Sequence, residues 1–187
     1  MPRVRPTCSP RALARAAALL LLLPALGCGY ALVGKGVAID PSIKRLGVPL
    51  FKDRTGKPGL DQKLTQSVTE ELLKRRRFEV VAEATGVDAL VDVELLGYSV
   101  TPVGFGDVGE AQQALTQATR YAIVVTARVR YTKVGAEQPL WVNDSFSFRD
   151  EYDVGDAATF FDREDQAIDR LAESFARSLV AAMLEAF

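Results

Sequence analysis

Between Arg120 and Tyr131 the chain alternates without interruption. Tyr121, Ile123, Val125, Ala127, Val129 and Tyr131 fall on one side, and Arg120, Ala122, Val124, Thr126, Arg128 and Arg130 on the other. A period of two places successive side chains on opposite faces, so this segment predicts a strand with one apolar and one polar face. Ala89, Val91, Val93 and Leu95 alternate with Leu90, Asp92, Glu94 and Leu96 and predict a second strand. The turn residues Val134 to Gln138 lead into a third. There Leu140, Val142, Phe146 and Phe148 share a side, Asp144 is an exception, and Trp141, Asn143, Ser145, Ser147 and Arg149 point the other way.

Two segments follow a longer period. Leu60, Leu64, Val68 and Leu72 recur every four residues and draw the buried stripe of a helix, closed by the cations Lys74 to Arg77. From about Phe161, Ile168, Leu171, Phe175, Leu179, Ala182 and Met183 draw a second stripe, with Glu173 and Arg177 able to pair on the outer side. Short apolar runs at 46–51 and 78–81 predict two more strands. Pro49 has no N–H for a ladder, so the first must lie at an edge or be bulged. The order is strand, helix, strand, three-strand meander, helix. That order predicts an α+β, two-layer sandwich, with two helices on one face of a mixed four- to five-stranded sheet. Asp92, Glu94, Thr126, Arg128, Arg130, Ser145 and Ser147 are then left on the uncovered face.

The N-terminal pattern is different. Arg3, Arg5, Arg11 and Arg15 precede an apolar run from Ala16 to about Gly27, broken by Pro24, and no acidic residue occurs before Asp40. The run is shorter than the roughly 20 residues of a spanning helix. Basic start, short apolar middle and small-residue end make a secretory signal. Ala25-Leu26-Gly27-Cys28 looks like a bacterial lipobox, with alanine where leucine is usual. The resemblance implies cleavage before Cys28 and lipid attachment to it, and Gly29 implies sorting to the outer membrane. The bland alternative is an ordinary signal with an incidental cysteine. Residues 1–27 are thus read as a signal peptide, 28–44 as a lipidated tether and 45–187 as one domain.

Composition narrows the chemistry. Cys8 lies in the signal and Cys28 would carry lipid, so no cysteine is left for a disulfide or a metal thiolate, and the chain has no histidine. No metal and no cofactor is expected. Of 23 basic residues, four precede Cys28; the remaining 19 face 24 acidic residues, a net charge of −5, which argues against nucleic acid as a partner. Gly104-Phe105-Gly106-Asp107-Val108-Gly109 fits G-x-G-x-x-G in letters, but the strand–helix context and the downstream acid are missing, so it reads as a flexible hairpin connection. Lys74 to Arg77 could grip lipid phosphates, though such a run is more often a solvated helix end. Arg120, Arg128 and Arg130 are candidate anion or partner contacts; equally, they could pair with Asp92 and Glu94 across the sheet. No two carboxylates are marked out as acid and base, so no catalytic residue is assigned and the protein is expected not to be an enzyme.

Several segments in order resemble the lipopolysaccharide-assembly lipoprotein family, LptE. Cys28-Gly29-Tyr30 is similar to its Cys-Gly-aromatic opening. Val48-Pro49-Leu50-Phe51-Lys52-Asp53-Arg54-Thr55 resembles its V-P-x-F-x-N-x-T segment, with Asp53 in place of Asn. Pro58-Gly59-Leu60 and Thr65 fit the start of its first helix, Val87-Asp88-Ala89-Leu90-Val91 its "ADA" strand, and Leu140-Trp141 the end of its hairpin. The resemblance implies a non-catalytic outer-membrane lipoprotein on the periplasmic side, anchored through Cys28. It would plug and help assemble an LptD-like β-barrel translocon and contact lipopolysaccharide. The alternatives are a lipoprotein that activates a cell-wall synthase (a penicillin-binding protein), or another small α/β envelope-assembly lipoprotein. A carboxylate-based periplasmic hydrolase is a third.

Overall fold

Two helical stripes and one apolar sheet face meet in a single core. A computed structural model describes residues 40–108, 115–154 and 160–185. In chain order the elements are β1 (Arg45–Gly47), β2 (Lys52–Asp53), α1 (Leu60–Lys74), β3 (Glu79–Val81), β4 (Ala89–Val108), β5 (Leu115–Lys133), β6 (Trp141–Asp153) and α2 (Phe160–Glu185). The sheet order is β3-β1-β4-β5-β6, with β2 also on β4. β1 pairs parallel with β3 and β4, whereas β4, β5 and β6 form an antiparallel meander. The architecture is the expected α+β sandwich, with six strands once the two-residue β2 is included. Ile43 is already buried, so packing begins before β1.

Pro49 explains the break between β1 and β2. β1 is an interior strand, so of the two ways to accommodate the proline the chain takes the bulge. Leu46 faces Ala89, whereas Lys52 faces Glu94, an offset one residue smaller. Residues 48–51 absorb the difference, and Val48 and Phe51 still reach the core.

The core follows the two periods. Leu60, Leu64, Val68 and Leu72 of α1 and Ile168, Leu171, Phe175, Leu179 and Met183 of α2 are buried against Ala89, Val91, Val93, Leu95, Ile123, Val125, Ala127 and Val129. Each Leu, Ile, Val, Phe or Met side chain among them contributes about 1.5–3 kcal/mol by leaving water. The rings of Phe146 and Phe148 meet Phe175 edge-on, at 5.3 and 6.5 Å between centroids. Glu173 and Arg177 pair at 3.7 Å on the wet side of α2.

Two corrections come from bulges. β6 has a register shift opposite Ala127 and Val129, so Asp144 and Ser145 together oppose Arg128. An extra residue inverts the alternation. Before the bulge it is therefore Trp141 that packs on the core, while Leu140 and Val142 are exposed. Asp144 ceases to be an exception and joins the polar face.

The second concerns residues 97–108 and 115–119, which lie between the two strands read from alternation and include the Gly104–Gly109 stretch expected as a flexible hairpin connection. They are strand: β4 and β5 stay paired from Ala89↔Lys133 to Val108↔Leu115. A bulge at Leu96 shifts parity from Leu95 to Tyr98, so no single alternation runs through the segment. Gly104 and Gly106 serve this pairing. A Cβ on Gly104 would stand 2.9 Å from the Arg120 Cβ, and one on Gly106 would stand 3.2 Å from Thr119 Cγ2. Both glycines sit in the antiparallel pair of β4 and β5, and the next element among the described residues is a strand, not the helix that a phosphate-binding fingerprint needs. Gly109 lies outside the described residues.

Candidate partner-binding surface

With α1 and α2 on one face, the other sheet face carries the even positions of β5 and those of β4 up to Glu94. At its centre Lys52, Arg54, Asp92, Glu94, Arg128 and Arg130 line an open depression of about 290 Å³. Arg128 Nη1 donates to Glu94 Oε2 at 2.9 Å, and Arg128 Nε lies 3.3 Å from Asp144 Oδ1. Arg54 Nε takes the other Glu94 oxygen at 2.5 Å. Lys52 Nζ holds Asp92 at 2.9 and 3.1 Å. Arg130 stands opposite Asp92 in register, is exposed, and has no ion pair among the described residues. Four cations against Asp92, Glu94 and the adjoining Asp144 leave one excess positive charge, and Arg130 carries it.

The three arginines singled out in the sequence are thus divided. Arg128 and Arg130 share the depression. Arg120 lies eight residues back along β5, about 27 Å at strand rise, where its Nε donates to Asp153 Oδ1 at 2.8 Å. That bond holds its pKa above the usual arginine value. Cys28 lies outside the described residues. Lys52 and Arg54 were not foreseen as part of the surface. They follow Pro49 in what reads as turn chemistry, and only the parallel pairing of β2 with β4 brings them beside Asp92 and Glu94.

The turn that positions them is built from its own side chains. Asp53 Oδ1 accepts from Thr55 N and Thr55 Oγ1, both at 2.7 Å, and Thr55 Oγ1 accepts from Lys57 N at 3.2 Å. An Asn side chain offers the same acceptor, so Asp53 keeps the local function. Thr65 Oγ1 accepts from Phe51 N at 3.1 Å and ties the turn to α1. Asp88 plays a similar part at the start of β1: one carboxylate oxygen accepts from Lys44 N and Arg45 N, both at 2.8 Å. Those two N–H groups, Arg45 first, hold the Asp88 carboxyl below its usual range.

A second polar cluster also escapes sequence reading. Glu164, in the first turns of α2, is buried. Its Oε1 accepts from Tyr98 OH at 2.5 Å and from Lys57 Nζ at 2.9 Å, and Lys57 Nζ lies 5.5 Å from the Tyr98 ring centre. Burial, then the bond to Glu164, pushes the Tyr98 phenol well above the usual tyrosine range. The cluster clamps the 54–59 turn to β4 and α2. Among the described residues no group of three or more Cys, Asp and Glu is placed to hold a metal. Asp92 and Glu94 are both committed to cations, so the depression suits recognition of a charged, hydrated surface.

Residues 43–183 match the family described as LptE, lipopolysaccharide-assembly. No curated protein sequence matches the chain. Among solved structures, it is similar to the rare lipoprotein B of Shewanella oneidensis, at 15% identity and a TM-score of 0.41, over 75% of this chain and 93% of that one. It is also similar to a hypothetical protein of Chlamydia trachomatis, at 10% identity and a TM-score of 0.46, over 78% and 100% of the two chains. A minor lipoprotein of Acinetobacter baumannii gives 8% identity and a TM-score of 0.44, over 75% and 92%.

Proposed function

The chain belongs to the LptE lipopolysaccharide-assembly family, and from that membership we propose that it is an outer-membrane lipoprotein anchored through Cys28. It plugs an LptD-like β-barrel translocon from the periplasmic side, supports the barrel's assembly and assists lipopolysaccharide insertion. The observation that carries this reading is the family match across nearly the whole described domain. The structure supports it physically. One sheet face is sealed by helices, and the other carries ion pairs around an open depression. A face of that kind suits a water-lined barrel interior, where charged groups keep part of their hydration, better than a dry dimer core. The committed carboxylates and the charge left on Arg130 suit scaffolding and recognition rather than catalysis.

The anchor follows from the lipobox resemblance, and among the described residues no helix is long and apolar enough to cross a membrane. The test is isolation of the chain from crosslinked membranes, with mass spectrometry of what accompanies it. A β-barrel outer-membrane protein is the expected partner. A penicillin-binding protein would transfer the reading to cell-wall synthase activation.

A further inference from the structure

The basic run at the end of α1 takes on a definite setting in the fold. α1 ends at Lys74, and the chain turns through Arg76, whose φ of 51° is left-handed. That position favours glycine, because a side chain there crowds the backbone. Here it carries a guanidinium, at a conformational cost. Lys74 and Arg75 lean back on Glu71, at 3.7 and 3.4 Å. Arg76 and Arg77 are exposed and have no ion pair among the described residues, and Leu73 beside them is 51% exposed.

This corner is also where the chain enters the domain. Glu79 N donates to Lys44 O at 2.8 Å, and β3 and β1 start side by side, Arg45 facing Glu79. Arg77 is therefore next to the strand that continues from residue 40. Asp40 lies only 12 positions after Cys28, a span of at most about 40 Å when fully extended. Glu79, the nearest acid after the run, is engaged by Arg45 at 3.4 Å.

We infer that Leu73, Arg76 and Arg77, with Lys44 beside them, form a docking surface for anionic phospholipid, and that this surface sets the domain against the membrane carrying its own anchor. The tether is short enough to keep this corner near the bilayer. The arginines supply charge complementary to the headgroups, and Leu73 offers an apolar side chain to the interface. Each basic residue at an anionic surface strengthens docking about fivefold. The inference rests on acylation at Cys28.

Acylation also makes the test clean. Once Cys8 is removed with the signal and Cys28 is blocked by lipid, Leu73→Cys gives the chain its one free thiol. The acylated full chain, with its mass verified, is labelled there with a polarity-sensitive fluorophore. It is then reconstituted in vesicles of phosphatidylethanolamine alone, or with phosphatidylglycerol, or with lipopolysaccharide. Gln62→Cys, about 16 Å back along α1, is the comparison position. The expected result is a blue shift at position 73, but not at 62, that requires phosphatidylglycerol. Arg76→Gln with Arg77→Gln should lower the docked-to-undocked ratio on the order of twentyfold. A probe that stays in water on floated vesicles overturns the docking surface and leaves the anchor standing. So does a shift that is equal in neutral vesicles, or one seen only with lipopolysaccharide. A chain whose mass shows no acyl groups removes the anchor, and this inference with it.

Discussion

Arg128 on β5 and Glu94 on β4 stand opposite each other in register and are joined at 2.9 Å, on the sheet face turned away from α1 and α2. The Glu94 side chain is only 13% exposed, and Arg54 holds its second oxygen. Arg128 is therefore part of the fold as well as of the surface, while its neighbour Arg130 belongs to the surface alone. Partly exposed ion pairs of this kind contribute about 0–1 kcal/mol. We expect Arg128→Ala to lower unfolding stability by about 1 kcal/mol and Arg130→Ala by less than about 0.5 kcal/mol, read from urea midpoints. Equal losses would mean that Arg130 has a structural partner.

Phe175 is fully buried and lies beneath the edges of Phe146 and Phe148. Phe175→Ala removes the largest side chain at the centre of α2 and leaves a cavity under β6. The cost of such a truncation is about 3–5 kcal/mol. Arg177→Ala, on the wet face of the same helix, should be nearly neutral. Circular dichroism melts of the two variants check this, and similar small shifts would place the buried stripe elsewhere.

Three tyrosines tie stability to alkaline pH. Burial, and then the charge of Asp40, pushes Tyr131 up to about 12. Burial, and then Glu164, pushes Tyr152 up to about 12. Tyr98 lies higher still. A phenol whose folded pKa exceeds the unfolded value of 10.0 keeps its proton better in the folded state. Its contribution is fully present below pH 10 and is lost as pH rises toward the folded value. The chain should therefore lose stability between about pH 10 and 12, with tyrosinate absorbance rising together with unfolding. A normal titration near pH 10 with the fold intact would contradict the buried placement.

Periods of two and four residues were legible wherever one face is buried and the register unbroken, which covers α1, α2 and the paired stretches 89–95 and 121–131. Sequence reading failed where a single inserted residue changes parity. Leu96, and the Asp144–Ser145 step, reverse the faces of everything beyond them, which is why Trp141 rather than Val142 reaches the core. The hairpin arm was missed for a related reason: Gly104 and Gly106 look like loop residues, yet they are there because Arg120 and Thr119 come close. The charged surface was half visible. Arg128, Arg130, Asp92 and Glu94 declare themselves by alternation. Lys52 and Arg54 join them only through the tertiary pairing of β2 with β4, and Glu164 looks like any solvated helix acid until Tyr98 and Lys57 are placed over it.

Removing the anchor separates processing from folding. Cys28→Ala should abolish incorporation of labelled fatty acid and leave the uncleaved, heavier precursor. The domain's melting transition should be unchanged, because its core is built from residues 43–184. Persistent acyl label in this variant would show that the lipid is attached elsewhere.

The barrel-plug account is tested most directly from Arg130, the exposed cation at the centre of the uncovered face. A photoreactive amino acid in its place should leave the fold intact, since Arg130 makes no ion pair among the described residues. Irradiation of intact cells should then join position 130 covalently to an outer-membrane β-barrel protein. The adduct should be lost when that barrel is depleted. An adduct with a penicillin-binding protein, or no adduct from position 130 in a folded, membrane-bound chain, would contradict the account.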